Sequence, residues 1–467
     1  MDLASKLFKG DRVIWVIFMF LCLISAIEVF SATSTIAYKS ATHWDPIVRH
    51  TTFLLGGFVL VLLLHNLPCR FYMFLSLLLP VSAVLLILTF FIGVEVNGEP
   101  RWLEILGIRF QPSEIAKITA IGYTAFFMSK RNWFTEKQIF NYVQIGVSVV
   151  CGLIFFTNGS TALLLFAVVQ IMLFFGQVAL PRLFKFWGIL LIGISILVLL
   201  LLYTPDKVMD YMPDRLHTWR ARIERFFDSE PPVTQEAGRA AVIDDKDYQA
   251  VNAKIAIARG GLWGKFPGHG QQRDFLPQAY SDFIYAIIIE EMGIAGGVFV
   301  LFLYMALLVR VGMIARKCDK LFPKFLVLGC GLLIGIQALL NMAVAVGLFP
   351  VTGQPLPLVS RGGTSTIISC AYIGIILSVS RFGANMGNEE DMLPLDESSM
   401  GIEPETDGHG TADGPASVEN GTGAGNYGLG AVEYGTGGMD YEKEAGDPNP
   451  LEAVAELKEE TTTETRI

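Results

Sequence analysis

Runs of about twenty apolar residues recur along this chain and are separated by short segments that hold most of its Lys and Arg. A hydrocarbon core about 30 Å thick needs roughly 20 helical residues to cross it. Lipid offers no hydrogen bonds, so such runs must satisfy their backbone internally, and a helix does so within one segment. Runs of this kind fall at 13–36, 51–66, 72–93, 113–129, 139–157, 160–177, 185–204, 281–310, 324–348 and 363–382. The expected fold is therefore all-α, a polytopic membrane protein of about ten transmembrane helices. Composition agrees: only 17% of the residues are charged, against roughly a quarter in a soluble chain. The first run is too long for a secretory signal and lacks a small-residue cleavage site, so it reads as a span. The six cysteines show no CxxC spacing, and neither disulfides nor a thiolate metal site is expected.

Basic loops stay in the cytoplasm, and their placement orients the bundle. With the N-terminus inside, every inside segment is basic, from Lys6, Lys9 and Arg12 through Arg310, Arg316 and Lys317 to Arg381. The short outside loops hold only Lys39, Arg49, Arg101, Arg109 and Arg361. Both termini are thus expected in the cytoplasm, with one large extracytoplasmic loop at 205–280. Charge divides the chain again near its end, because residues 384–467 carry 20 acidic and 3 basic side chains. That stretch is rich in Gly, Glu, Thr and Asp and poor in apolar residues, the composition of a disordered acidic cytoplasmic tail. Residues 1–383 form the membrane domain and have the opposite, basic balance.

An ionisable side chain within a span costs a few kcal/mol, so each needs a partner or a role. Glu114 and Lys117 stand three apart on one helical face at the predicted outer surface, where they can pair. Arg101 and Trp102 precede them on a segment expected to lie at the interface, where tryptophan is favoured. Asp282 falls at the predicted outer start of the eighth helix and reads either as an N-cap or as a reactive carboxylate. Glu290 and Glu291 follow two turns deeper and point about 100° apart, so at least one faces the interior. Glu28 is a further intramembrane carboxylate with no assigned partner. Between the ninth and tenth runs, residues 341–367 hold three prolines, several glycines and Arg361. Backbone this irregular is tolerated in a membrane only against protein or a wet cavity. A cation beside the flexible N–H groups of Gly362 and Gly363 suits an anion such as diphosphate. In 215–227, Leu216, Trp219, Ile223, Phe226 and Phe227 share one face, the pattern of a helix lying on the membrane surface.

Four separated motifs carry a resemblance: RWLEILGIRFQPSEIAK at 101–117, YQAVNAKIAIARGGLWGKFPG at 248–268, LPQAYSDFIYAIIIEEMG at 276–293, and N-x(8)-P-x-TG-x-PLP-x-VS-x-GGTS at 341–365. In this order they resemble the SEDS (shape, elongation, division and sporulation) family, the FtsW and RodA proteins, over about residues 13–383. The resemblance implies a SEDS fold and a peptidoglycan glycosyltransferase that polymerises lipid II, a disaccharide-pentapeptide on undecaprenyl diphosphate, in the bacterial cytoplasmic membrane. It implies that Asp282 is the catalytic residue and that Trp102, Glu114 and Lys117 are functionally sensitive. It further implies a class B penicillin-binding protein and other divisome proteins as partners, with no nucleic acid. The long tail and the wording around Asp282 lean towards the division type over the elongation type. Two departures stand out: Arg361 replaces the aromatic usual in SYGG or SFGG, and Phe266-Pro267-Gly268-His269 interrupts a G-x-G-x-G pattern.

The implied chemistry assigns roles. The acceptor sugar's hydroxyl must lose a proton as it attacks, which a carboxylate at Asp282 can accept. Charge developing on the departing diphosphate needs cations such as Arg101, Lys117 or Arg361, with Ser360, Gly362 and Gly363 as further substrate contacts. A divalent cation, Mg or Mn, is the one cofactor expected. A lipid II flippase is the rival reading; it should show inverted repeats and helices broken near the midplane, and the sequence has no clear repeat. A non-catalytic scaffold is the other.

Overall fold

In a computed structural model of the chain, the described residues are 8–39, 45–96, 99–105, 108–205, 245–276 and 280–383, with the single positions 208, 216 and 220. The acidic tail at 384–467 and nearly all of the 215–227 segment lie outside them.

Each predicted apolar run is helical. In chain order the helices are α1 (Arg12–Lys39), α2 (Asp45–Leu64), the broken pair α3 (Phe74–Leu77, entered through a 3-10 turn at Cys69–Met73) and α4 (Leu79–Ile92), α5 (Pro112–Ser129), α6 (Glu136–Thr157), α7 (Gly159–Phe175) and α8 (Leu180–Tyr203). After these come α9 (Asp245–Gly260), α10 (Ile284–Lys317), α11 (Leu321–Ala345) and α12 (Thr364–Gly383). Seven are long and apolar enough to cross a membrane alone, and the pair bent by 47° around Leu78 makes an eighth. The other two predicted spans are helices of a different kind. Helix α5 carries Glu114 and Lys117 and is buried on nearly every side, which makes it the hub of the bundle. Helix α7 has 17 residues and packs antiparallel to α6 after a turn at Asn158, whose φ of −157° and ψ of 90° are extended, with Gln170 Nε2 donating to Gln144 Oε1 at 3.0 Å. The Asn158 side chain accepts the Thr161 N–H and starts the new helix, the role asparagine fills at N-caps.

The helical body carries one addition at the end predicted to lie outside. Residues expected to form an interfacial segment instead make a three-stranded antiparallel sheet, β1 (Val94–Val96), β2 (Glu99–Ile105) and β3 (Ile108–Phe110). Its register pairs Val94 with Trp102 and Leu103 with Phe110. Leu103 is fully buried and anchors β2, leaving Arg101 and Trp102 to flank it. The pairing was not legible because strands of three residues are too short to show alternation.

Helix α10 spans 34 residues, about 50 Å at 1.5 Å per residue, and is interrupted at Gly293. There φ is 75°, a left-handed conformation that favours glycine. The break frees backbone groups that a loop after α9 takes up. Lys265 and Phe266 N–H donate to the carbonyls of Glu290 and Glu291, while Ile294 and Ala295 N–H donate to Gly261 and Leu262. The approach is so close that a Cβ on Gly264 would lie 2.2 Å from the Glu291 carbonyl oxygen. The Glu290 and Glu291 side chains, fully buried, hold the same loop. Glu290 accepts the N–H groups of Gln271 and Gln272, and Glu291 accepts Gly268 N–H and the Ser31 hydroxyl, with Arg273 3.7 Å away. These two glutamates are structural, and the loop bearing the unusual Phe266-Pro267-Gly268-His269 wording is clamped by its glycines and by them. Glu28, fully buried on α1, has no hydrogen-bond partner for either oxygen among the described residues.

Candidate functional site

The helix ends predicted to lie outside converge on one cavity of about 460 Å³. Asp282 reaches it from the turn that precedes α10. The N-cap of α10 is Phe283, and no side chain caps the helix. The reading of Asp282 as a cap therefore fails. Its Oδ1 instead accepts the Ser281 hydroxyl at 2.9 Å. Burial pushes its pKa up from the ordinary carboxylate range, and the Ser281 hydrogen bond and the Arg101 charge oppose that rise. The result is a carboxylate of raised basicity, as a general base requires.

A scaffold of buried amides sets the position of Asp282. Asn341 Nδ2 donates to the backbone carbonyls of Asp282 and Gln354, each at 2.8 Å, and so ties α11 to both walls of the cavity. Gln337 Nε2, one turn earlier on α11, donates to Pro355 O at 3.0 Å. Gln354 donates to Thr161 Oγ1 at 2.7 Å and thereby joins the irregular loop to α7. Within that loop Ser360 donates to Ser281 O at 2.6 Å and accepts Leu356 N–H at 2.8 Å. Arg361 N–H donates to Tyr280 O, and the Arg361 guanidinium stacks on the Tyr280 ring at 5.1 Å. The prolines and glycines of 351–363 bend the backbone back into the bundle, and these bonds satisfy it there.

Of the residues singled out from sequence, Asp282, Arg101, Trp102, Glu114, Arg361, Gly362 and Gly363 all line this cavity. Lys117 and Ser360 do not. Lys117 is 1% exposed and spends its charge on Glu114 at 2.7 Å and on Gln337 Oε1 at 3.2 Å. It neutralises the cavity-facing Glu114 from behind. Ser360 is a clamp between Ser281 and Leu356. Sequence reasoning missed Arg49, His50, Gln111, Asn158, Thr161 and Gln354, which also line the cavity. Arg49-His50 at the outer end of a span was the available signal; the other four are neutral side chains that carry none.

The described residues offer no protein cage for the expected divalent cation. Among the described residues no group of three or more His, Cys, Asp or Glu is placed to hold a metal. The two cavity carboxylates are Asp282 and Glu114, and Lys117 already engages the second. The described residues by themselves do not make a metal site; a hard divalent cation is ordinarily held by one or two carboxylates together with substrate phosphates.

Fold and site together define a multi-pass membrane protein with two carboxylates (Asp282 and Glu114) and four arginines (Arg49, Arg101, Arg109 and Arg361) around a cavity at one end of its helix bundle. Comparison with known proteins narrows the class. The family described as cell cycle protein, which groups FtsW, RodA and SpoVE sequences, matches residues 11–385, and the chain belongs to it. A protein of Nitrosococcus halophilus named "Probable peptidoglycan glycosyltransferase FtsW" is 32% identical over 342 residues, covering 71% of this chain and 81% of the relative. The protein of the same name from Escherichia coli O157:H7 is 29% identical over 389 residues, covering 81% and 87%. Among solved structures, a chain of a peptidoglycan synthase complex that coordinates polymerization and crosslinking superposes with a TM-score of 0.61 at 24% identity, covering 80% of this chain and 98% of that one. Thermus thermophilus RodA superposes with a TM-score of 0.55 at 24% identity, covering 80% and 97%. Both share the fold.

Proposed function

We propose that this protein is a peptidoglycan glycosyltransferase that polymerises lipid II at the outer face of the bacterial cytoplasmic membrane, for the division septum. Both termini are then cytoplasmic, and the partners are a class B penicillin-binding protein and other divisome proteins. The observation that carries the reading is Asp282: a carboxylate free of helix capping, partly withdrawn from water and set among arginines in a cavity between spans. The relatives' names and the cell-cycle description of the family support the activity and the division role.

The chemistry follows from that carboxylate. The 4-hydroxyl oxygen of the acceptor GlcNAc attacks C1 of the donor MurNAc, and Asp282 accepts the hydroxyl proton as the new C–O bond forms. The bond from C1 to the phosphate oxygen breaks with inversion, and the polyprenyl diphosphate departs with the electron pair. Arginines of the cavity stabilise the charge that develops there, in a site where protein dipoles replace water. Lipid substrates explain the location, since the polyprenyl tail stays in the bilayer while the sugars project outward. A transporter reading would use broken helices near the substrate. The breaks at Leu78 and Gly293 do not line the cavity, and Asn158, which does, is the turn between two antiparallel helices and not a break within one span, so they lend that reading nothing.

The test is polymerisation of labelled lipid II by the purified full-length chain with its partner, read on a gel. Asp282→Asn keeps the shape and should abolish product while the protein still inserts and purifies. Glycan strands of normal length from the Asn variant would sink the assignment of the base.

A further inference from the structure

The loop that carries Arg361 contains Leu358, whose φ is 68° and whose side chain is 1% exposed. Among the described residues, Gln177 and Phe266 are the other non-glycines with a positive φ, and both are exposed. A left-handed backbone crowds Cβ, and leucine has no polar group with which to bond its own backbone there, as asparagine can. Such a residue persists only where its surroundings over-determine it, and strain of this kind gathers at active sites.

Leu358 is held through the carbonyls on either side of it. Tyr304 of α10, fully buried, donates its hydroxyl to the Pro357 carbonyl. Ser25 of α1, also fully buried, donates to the Val359 carbonyl at 2.8 Å. That carbonyl only accepts and takes the single Ser25 proton, so His50 Nε2, 3.0 Å from Ser25 Oγ, is the donor in its own contact with the serine. At 1.5 Å per residue, Tyr304 lies about 20 Å along α10 from its Lys317 end, and Ser25 about 20 Å along α1 from its Arg12 end. The tip of the loop is thus gripped within the bundle, while Gly353, Gln354 and Pro355 before it and Arg361 after it line the cavity. The grip reaches Asp282 in two steps. Ser360 donates to Ser281 O at 2.6 Å and Arg361 N–H to Tyr280 O at 2.9 Å. Tyr280 and Ser281 immediately precede Asp282, and the Ser281 hydroxyl bonds the carboxylate itself.

We infer that Tyr304 and Ser25 are positioning residues for Asp282: by holding Leu358 in its left-handed conformation they fix the loop against the Tyr280-Ser281 turn from which the carboxylate enters the cavity. The inference rests on the function proposed above, which takes Asp282 as the base, and adds the residues that aim it. Neither hydroxyl touches the carboxylate; each acts through the loop. With either bond gone, Leu358 can return to a negative φ, and Ser360 and Arg361 then move off the turn. A misplacement of about 1 Å at a reacting group is enough to slow catalysis severely, which is why a remote bond can matter to the rate.

The test uses the full-length chain with its partner in nanodiscs and two variants that each delete one hydroxyl, Tyr304→Phe and Ser25→Ala. Tyr72→Phe is the control: it removes another buried tyrosine hydroxyl, one that donates to Leu64 O at 2.7 Å at the far end of α2 from His50. In both loop variants amide exchange across 356–361 should quicken about tenfold, the effect of about 1.4 kcal/mol. Lipid II polymerisation should show kcat lower by a similar factor with KM unchanged. The inflection of the pH–rate profile should move to higher pH, because a loosened turn weakens the Ser281 hydrogen bond that opposes the rise in the Asp282 pKa. The other charges at the carboxylate stay in place, since Arg101 is on the sheet and Glu114 is paired with Lys117 on α5. A smaller folded fraction would lower kcat without moving that inflection. Exchange and inflection both unchanged in Tyr304→Phe and Ser25→Ala would overturn the inference, and so would the same changes in Tyr72→Phe. A wild-type protein that makes no glycan would count against the proposed function alone, because amide exchange still reports whether Tyr304 and Ser25 hold the loop.

Discussion

Removing the charge of Lys117 should destabilise this protein more than most single substitutions do. Its side chain is 1% exposed, and its ammonium group lies 2.7 Å from Glu114, whose side chain is 9% exposed. The ammonium group also donates to Gln337 Oε1 at 3.2 Å. In Lys117→Met the apolar stem is kept and the charge lost, so Glu114 is left as an uncompensated carboxylate on a largely buried helix. Breaking a buried pair from one side costs about 3–5 kcal/mol, whereas replacing both partners with apolar or neutral groups of similar volume is often close to neutral. The double variant Glu114→Gln/Lys117→Met should therefore recover most of the stability lost in Lys117→Met, and the coupling is measured by a double-mutant cycle. The assay is thermal unfolding of detergent-solubilised protein, followed by intrinsic fluorescence and by the monodisperse fraction that survives heating. A Lys117→Met protein as stable as the wild type, or a double variant no better than the single one, would refute the account of Lys117 as the counter-charge of Glu114.

Four further outcomes rest on the same structure. Burial raises the Asp282 pKa, and a base acts only when deprotonated, so kcat should fall as pH drops through a value above the ordinary aspartate pKa of about 3.9. Arg101→Ala removes a charge that opposes this rise, so the inflection in the pH–rate profile should move to higher pH; a shift to lower pH would contradict the electrostatic assignment. Gly264→Ala places a Cβ 2.2 Å from the Glu291 carbonyl oxygen at a φ of 74°, and should release the loop at 260–272 from α10, seen as faster proteolysis or faster amide exchange there. Glu28→Gln should leave the melting temperature unchanged or higher, because neither oxygen of this buried carboxylate has a hydrogen-bond partner to lose; a marked drop would reveal a partner for it.

The helical body was legible in the sequence because lipid permits few alternatives: an apolar run of about twenty residues has to close its own hydrogen bonds, and each of the ten runs is a helix. Charged residues within such runs were legible for the same reason, since burying Glu114, Lys117 or Glu290 in an apolar setting demands an explanation. Their pairing was partly legible too, because positions three apart on a helix meet: Glu114 and Lys117 do so as spacing requires. Tertiary structure alone decided which charged residues face the cavity. Glu114 lines it and Lys117, one turn on, does not; Asp282 enters from the turn before α10, and Glu291, on α10 itself, holds a loop instead. Those outcomes depend on contacts between residues far apart in the chain, such as Asn341 with Asp282, Ser25 with His50 and Gly264 with Glu291. A linear pattern records how far a side chain must be from water, but the partner that meets it there is fixed only when the helices pack.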